Sequence, residues 1–207
     1  SAAVNQSIEI VRKRIDEVGT KEPTILKRGN NRILVELPGV KDPERIKELL
    51  GKTAQLNFRL VTSDKNEFGN EKLIVRGTQE EISVNKRIIL SGENLIDAQP
   101  KYDNLNNQPI VAFSLDRLGA QRFGQVTTKN IGKRLAIILD GEAISAPVIQ
   151  DSITSGNGTI SGNFTFQTAT DLALLLRSGA LPTPLIIAEE RTVGPDLGQD
   201  SIKSGLI

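Results

Sequence analysis

The order of secondary-structure patterns in the first 62 residues constrains the fold of this chain most. Apolar residues spaced four and three apart predict a helix over residues 4–18, and two short segments, 24–27 and 32–37, predict a β-hairpin. A second helix is predicted from Asp42 to Gly51, and residues 54–62 alternate as a half-buried strand. The order α-β-β-α-β is one strand short of the βαββαβ ferredoxin-like unit.

The missing strand is predicted near the other end of the chain. Residues 185–188 are apolar and lie between Pro184 and a charged segment, so they are the expected returning strand. This predicts an α+β fold with a ferredoxin-like base lobe formed by residues 1–62 and 180–207. Residues 63–179 then form a head lobe inserted into the base. Because two chain crossings join the lobes, the predicted hinge residues are Val61, Thr62, Gly179 and Pro182.

The inserted lobe is itself predicted to be α+β. Residues 110–115 are predicted to be a strand, and Asp116 is placed to cap the helix that follows. Asp140-Gly141, between two apolar segments, predicts a hairpin with a type I′ turn. Thr165 is predicted to cap a last helix that ends at Gly179 and is apolar on most sides.

Composition excludes several classes of function. The chain of 207 residues has no Cys and no His, which removes thiolate chemistry, the usual general base and the commonest metal ligand. We therefore expect no enzyme activity, no catalytic residues, no metal and no cofactor. Lys and Arg number 26 against 25 Asp and Glu, and aromatic residues make up 3%, so nucleic acid is not an expected partner.

We expect no membrane-spanning segment within the sequence as given. No apolar run approaches the ~20 residues that span a bilayer, and no charged-then-apolar leader begins the sequence. The first residue is Ser1 and not Met. We expect a soluble piece cut from a longer protein.

Two motifs have both a chemical and a structural interpretation. Gly156, Gly158 and Gly162 form a glycine-rich stretch that could cradle a phosphate, but no Lys-Ser or Lys-Thr follows, which favours a plain turn. Asp140 and Glu142 could be paired carboxylates, although Asp-Gly is typical of a hairpin tip.

The segment after the second hairpin has more apolar residues than one face of one strand requires. They are either core residues or part of an exposed groove for an extended peptide. These candidates for contact with a polypeptide are Ile144, Pro147, Val148, Ile149 and Ile153.

Several stretches together resemble the SecD family of protein-export membrane proteins. The resemblance runs in order along nearly the whole chain. It rests on VRKRIDEVG at 11–19, RILVELPG at 32–39, DPERIKELLGKTAQLNFRLV at 42–61, LAIILDGEAISAP at 135–147, GTISGNFT at 158–165, LRSGALPTPL at 176–185 and EERTVGPDLGQDSI at 189–202.

The resemblance implies the first large periplasmic domain (P1) of a bacterial inner-membrane protein, cut from between two transmembrane helices. Members of the family work with SecF beside the SecYEG channel and use the proton motive force to assist translocation. Their P1 domain has a base and a mobile head that is thought to contact the emerging preprotein. The family's proton path lies in membrane helices, so this fragment is not expected to conduct protons.

Two other functions stay open at the level of sequence. A related proton-driven exporter of the RND type, acting on small molecules or lipids, would have a deep apolar pocket in its periplasmic domain. An acylphosphatase-like hydrolase on a ferredoxin-like scaffold would need a loop of backbone donors beside Arg and Asn, and the sequence shows no such loop.

Overall fold

The computed structural model describes residues 2–19, 22–29, 32–64 and 67–185. Four α-helices, eleven strands and a short 3-10 turn, Gly92–Asn94, follow one another in these residues. The elements in chain order are α1 Ala2–Val18, β1 Thr24–Arg28, β2 Arg32–Glu36, α2 Pro43–Gly51, β3 Leu56–Leu60, β4 Glu71–Ile74, β5 Glu81–Val84, β6 Leu90–Ser91, β7 Leu95–Tyr102, β8 Pro109–Leu115, α3 Arg117–Lys129, β9 Leu135–Leu139, β10 Glu142–Ser145, β11 Asn157–Ile160 and α4 Phe166–Ser178.

The first hydrophobic core, called the base core below, lies between α1, α2 and the C-terminal half of α4. The 3.6-residue period places Val11 and Ile15 of the predicted apolar face in the core, together with Ile10, whereas Val4, Ile8 and Val18 of that face are half-buried. The three buried residues pack with the apolar face of α2, with Ala54 and Leu181, and with Leu174 and Leu175 of α4. The antiparallel β1–β2 hairpin covers this core through its half-buried residues Ile25 and Val35.

A second core, called the head core, fills the space between two sheets and two helices. One sheet has the strand order β10-β9-β3-β6 and the other β11-β8-β7. Phe58 packs edge-on against Phe113 and Phe123, with ring centroids 5.6 and 6.0 Å apart, a favoured aromatic geometry. Four residues of α4 complete this core: Ala169, Leu172, Ala173 and Leu176.

A small hairpin, β4–β5, covers the opposite face of the four-stranded sheet. Its residues Val75, Ile82 and Val84 are buried against Ala136 and Ile138 of β9. Because both faces of β9 are buried, its sequence LAIIL is apolar throughout and does not alternate.

The predicted ferredoxin-like base requires β3 to pair with the β1–β2 hairpin. In the structure it does not. It pairs antiparallel with β9 and with β6, while β1 and β2 form a two-stranded sheet of their own. The predicted ferredoxin-like layout of base and head is therefore not confirmed, whereas a mixed α and β fold of several small sheets is. The alternation in β3 specifies an apolar face but not a neighbouring strand.

The predicted returning strand lies almost wholly outside the described residues. Of residues 185–188 only Leu185 is described, and its backbone N–H donates to the carbonyl oxygen of Gly51 at 3.2 Å. The predicted base residues beyond 185 are likewise outside the described ranges. Within those ranges, no helix is both long and apolar enough to cross a membrane.

Candidate functional site

The two cores are joined where the chain leaves the base and returns to it. The outgoing segment, residues 51–55, runs beside the returning segment, residues 179–185, and we call the two together the neck. The backbone N–H of Leu181 donates to the carbonyl oxygen of Thr53 at 2.9 Å. The side-chain amide of Gln55 donates to the carbonyl oxygen of Leu181, also at 2.9 Å. These bonds hold the two crossings side by side.

The tip of the β9–β10 hairpin binds the outgoing segment through one carboxylate. Asp140 and Gly141 have φ values of 50° and 81°, which confirms the predicted type I′ turn. The Asp140 carboxylate accepts hydrogen bonds from the Thr53 hydroxyl at 2.5 Å, the Gln55 N–H at 2.8 Å and the Ala54 N–H at 3.2 Å. We call this set of bonds the Asp140 clamp, and it joins a head strand to the neck.

On the base side, Arg14 of α1 binds the ends of two helices. The residue is fully buried, with 0% of its surface accessible. Its guanidinium donates to the carbonyl oxygens of Leu49, Leu50 and Lys52, at 2.9, 3.2 and 2.6 Å, where α2 ends. It also donates to the Ser178 hydroxyl and to the Gly179 carbonyl oxygen, at 3.3 and 2.9 Å, where α4 ends.

The electrostatics of this arrangement favour a buried cation. A helix C-terminus carries partial negative charge on its free carbonyl groups, so two such ends partly replace a carboxylate partner for Arg14. Desolvation by burial lowers the pKa of the Arg14 guanidinium to about 10, and the negative charge of Asp140 acts in the opposite direction. Arg14 is therefore still protonated near neutral pH.

Two ion pairs also join α4 to the base helices. Arg45 of α2 pairs with Asp171, using two guanidinium nitrogens. Arg177 pairs with Glu17 of α1 at 3.0 and 2.9 Å and also donates to the carbonyl oxygen of Ala98 in β7 at 2.7 Å. Since the paired side chains are between a fifth and about a third exposed, each pair is partly screened by water.

The structure places the predicted hinge residues at two separate points. Gly179, with φ 101°, and the exposed Pro182 lie in the returning segment of the neck. Val61 and Thr62 follow the far end of β3, where their N–H groups donate to the carbonyl oxygens of Arg134 and Ser83 within the head. The chain passes from the base core, which contains Ala54, to the head core, which contains Leu56, within residues 51–55. Hinge motion at any of these residues stays a prediction.

The predicted contact residues divide between core and surface. Ile144 and Ile149 are 3% and 5% exposed and belong to the head core, and Ile153 packs against it. Successive residues of a strand point to opposite faces, so Ile144 enters the head core while its neighbour Ala143 packs under the β4–β5 hairpin, and burial of both faces accounts for the excess of apolar residues. Pro147 and Val148 are exposed, so they are the two candidates available on the surface.

The structure also shows a groove that the sequence did not indicate. It lies on the face of the β11-β8-β7 sheet that points away from α4 and has a volume of about 770 Å³. Its lining combines Ile110 and Ala112 with Asp97 and Lys101, and Leu105 at its edge is 96% exposed. The alternation of polar and apolar residues along β7 could have indicated this sheet face, but Pro100 within β7 argues against a strand in the sequence.

The glycine-rich stretch and the Asp140–Glu142 pair, which could have carried chemistry, both have structural roles. Gly158 lies within β11, and a Cβ there would be 2.5 Å from the Phe113 ring, so the glycine makes room for a core side chain. Glu142 pairs with Arg76 at 2.6 Å and Asp140 binds the neck, so these two carboxylates have separate partners. Among the described residues, no cluster of three or more His, Cys, Asp or Glu could hold a metal ion.

Comparison with known proteins defines the family. A family model described as the SecDF P1 head subdomain matches residues 66–183, and a second, the N-terminal part of the P1 domain of protein translocase subunit SecDF, matches residues 4–63. Protein translocase subunit SecD of Rickettsia prowazekii is 49% identical over 98% of this chain, and that of Magnetococcus marinus is 49% identical over 99%. This chain belongs to the SecD family of protein translocase subunits.

Solved structures agree with this assignment. A structure titled as a membrane component SecDF that enhances protein export matches with a TM-score of 0.75 at 32% identity, covering 92% of this chain and 93% of that one. A SecDF crystal structure in a super-membrane-facing form matches all of this chain at 34% identity with a TM-score of 0.78. The chain spans 41% and 42% of the length of the two SecD relatives named above.

Proposed function

We propose that this chain is the periplasmic domain of the SecD subunit of a bacterial protein translocase. In this proposal it holds exported preprotein while its head moves relative to its base. Membrane helices outside the chain anchor it beside SecF and the SecYEG channel, and those helices couple the motion to the proton motive force. The family assignment supports the placement, because the SecD relatives are more than twice as long as this chain.

The observation that carries the proposed motion is the neck. Two crossings, at residues 51–55 and 179–185, connect the base core to the head core, and they are hydrogen-bonded to each other. A paired connection of this kind permits rotation when a few backbone dihedrals change. The buried contacts of α4 with α1 and α2 oppose this rotation. A moving head must therefore either break some of these contacts or carry out its motion while they persist.

Preprotein contact is proposed for the exposed surface of the head. Val148 is 48% exposed and follows the exposed Pro147, so both apolar side chains are accessible to an extended chain. The proposed role requires no catalytic step and no cofactor. The exporter alternative expects a deep apolar pocket, whereas the groove on the β11-β8-β7 sheet is lined by Asp97 and Lys101 as well as apolar residues.

Site-specific photocrosslinking tests this proposal in the complete membrane protein that carries this domain. A photoreactive amino acid replaces Val148 or Leu105 in the head, or the exposed Lys13 of α1 as a matched base control. An export substrate is then arrested partway through the channel. We expect the head positions to label the arrested chain and the base position to label it much less. If neither head position labels it, the contact proposal is wrong.

A further inference from the structure

We propose that the Asp140 clamp is a releasable latch that sets the arrangement of the head relative to the base. This inference rests on the proposed motion of the two lobes and adds the group that controls it. The clamp joins the tip of a head hairpin to the outgoing segment of the neck through three donors on consecutive residues: Thr53, Ala54 and Gln55. The connection is reinforced by the N–H of Asp140, which donates to the carbonyl oxygen of Gln55 at 2.8 Å.

The clamp holds a residue in an unfavourable backbone conformation. Ala54 has a φ of 53°, in the left-handed region that residues with a Cβ atom avoid. Its N–H and that of Gln55 donate to the Asp140 carboxylate, so the bound carboxylate compensates for this conformation. When the carboxylate leaves, Ala54 is free to return to an ordinary backbone region. That change of dihedral angle alters the direction of the chain between α2 and β3.

The two sides of the neck differ in how easily they are released. Arg14 is fully buried, and the groups that accept its five hydrogen bonds lie at the buried or partly buried ends of α2 and α4. Asp140 is exposed, and water replaces a lost partner at little cost. Residues 52–55 are therefore held on the base side, by Arg14, by the burial of Ala54 in the base core and by the bonds to Leu181, while the Asp140 carboxylate on the head side is able to let go of them. A fixed end next to a releasable one is the arrangement that a latch requires.

The test measures the distance between base and head in the 207-residue chain. The chain contains no Cys, so Lys13→Cys in α1 and Lys129→Cys at the end of α3 introduce two unique sites for spin labels. Double electron–electron resonance then gives the distribution of distances between the lobes. Asp140→Asn keeps a residue that tolerates positive φ but replaces one acceptor oxygen with an NH₂ group facing the Ala54 N–H. We expect the population of a second distance to rise about fivefold, the effect of losing roughly one hydrogen bond.

Two further variants separate the latch from a general loss of stability. Thr53→Val removes a donor to the same carboxylate without changing the hairpin, and we expect a shift to the same second distance. Glu142→Gln changes a carboxylate of the same hairpin that pairs with Arg76 inside the head, and we expect the wild-type distribution. The latch is wrong if Asp140→Asn and Thr53→Val leave the distribution unchanged, or if Glu142→Gln changes it equally. Photocrosslinking measures contact with preprotein and not the distance between the lobes, so failure of the contact proposal and failure of the latch are distinguishable.

Discussion

Replacement of Arg14 by Met tests how much the buried guanidinium contributes to the fold. The variant keeps an unbranched side chain of similar length but removes all five hydrogen bonds to the ends of α2 and α4. Each bond from a charged donor contributes about 1.5–3 kcal/mol, but removal of the charge also removes its desolvation cost. Arg14→Met leaves neutral acceptors and no uncompensated charge, and each buried acceptor without a partner costs about 1–3 kcal/mol, so with about two left unpaired we expect a loss of about 2–6 kcal/mol in the free energy of unfolding.

Equilibrium unfolding in urea measures this change. With a denaturant dependence of about 2 kcal/mol per molar urea, the midpoint of Arg14→Met is expected to fall by about 2 M. Arg12→Met, an exposed position on the same helix, is the matched control and is expected to change the free energy by less than about 0.5 kcal/mol. The loss in free energy of unfolding for Arg14→Lys should lie between those of the two Met variants, since Lys keeps the charge and three donors but lacks the planar fork of Arg. A loss below about 1 kcal/mol for Arg14→Met would refute this account of the buried guanidinium.

Two more predictions follow from close contacts and from charge. Gly158→Ala would place a Cβ 2.5 Å from the ring of Phe113, and we expect a loss of about 1–3 kcal/mol in urea unfolding, whereas Gly92→Ala, with its nearest contact at 3.8 Å, should be nearly neutral. The Arg134 guanidinium lowers the pKa of Glu80 below its ordinary 4.5, so this pair stabilises the fold above that pH and the contribution disappears as pH falls through the lowered pKa. The stability difference between wild type and Glu80→Gln, measured at about pH 6 and about pH 3, should therefore shrink toward zero in acid, and a difference that stays constant would contradict it.

Local patterns predicted most of the individual elements. The spacing of apolar residues located α1 and α2, and the caps Asp116 and Thr165 located the starts of α3 and α4, where each side chain accepts from the N–H three residues later. Asp140-Gly141 located the β9–β10 turn. These signals depend on contacts within a few residues, so a single sequence contains them in full.

The sheet order and the contacts of the outgoing crossing at residues 51–55 were not predicted, because both depend on contacts between distant residues. Alternation in β3 indicates which residues are buried but is equally consistent with β2 or β9 as neighbour. Arg14 gave a usable signal: it lies three residues after Val11 on the buried face of α1, and a charged residue in an apolar stripe indicates a specific partner. Four of its five partners are backbone carbonyl groups, which no side-chain pattern identifies.

The position of α4 between the two cores limits how its sequence is able to change. Ala173 faces the head core and the adjacent Leu174 faces the base core. Insertion of one residue before them would turn the rest of the helix by about 100°, so side chains that belong to one core would face away from it. Substitutions are therefore tolerated in this helix more readily than insertions or deletions, and the lengths of the two lobes are free to vary only in their loops.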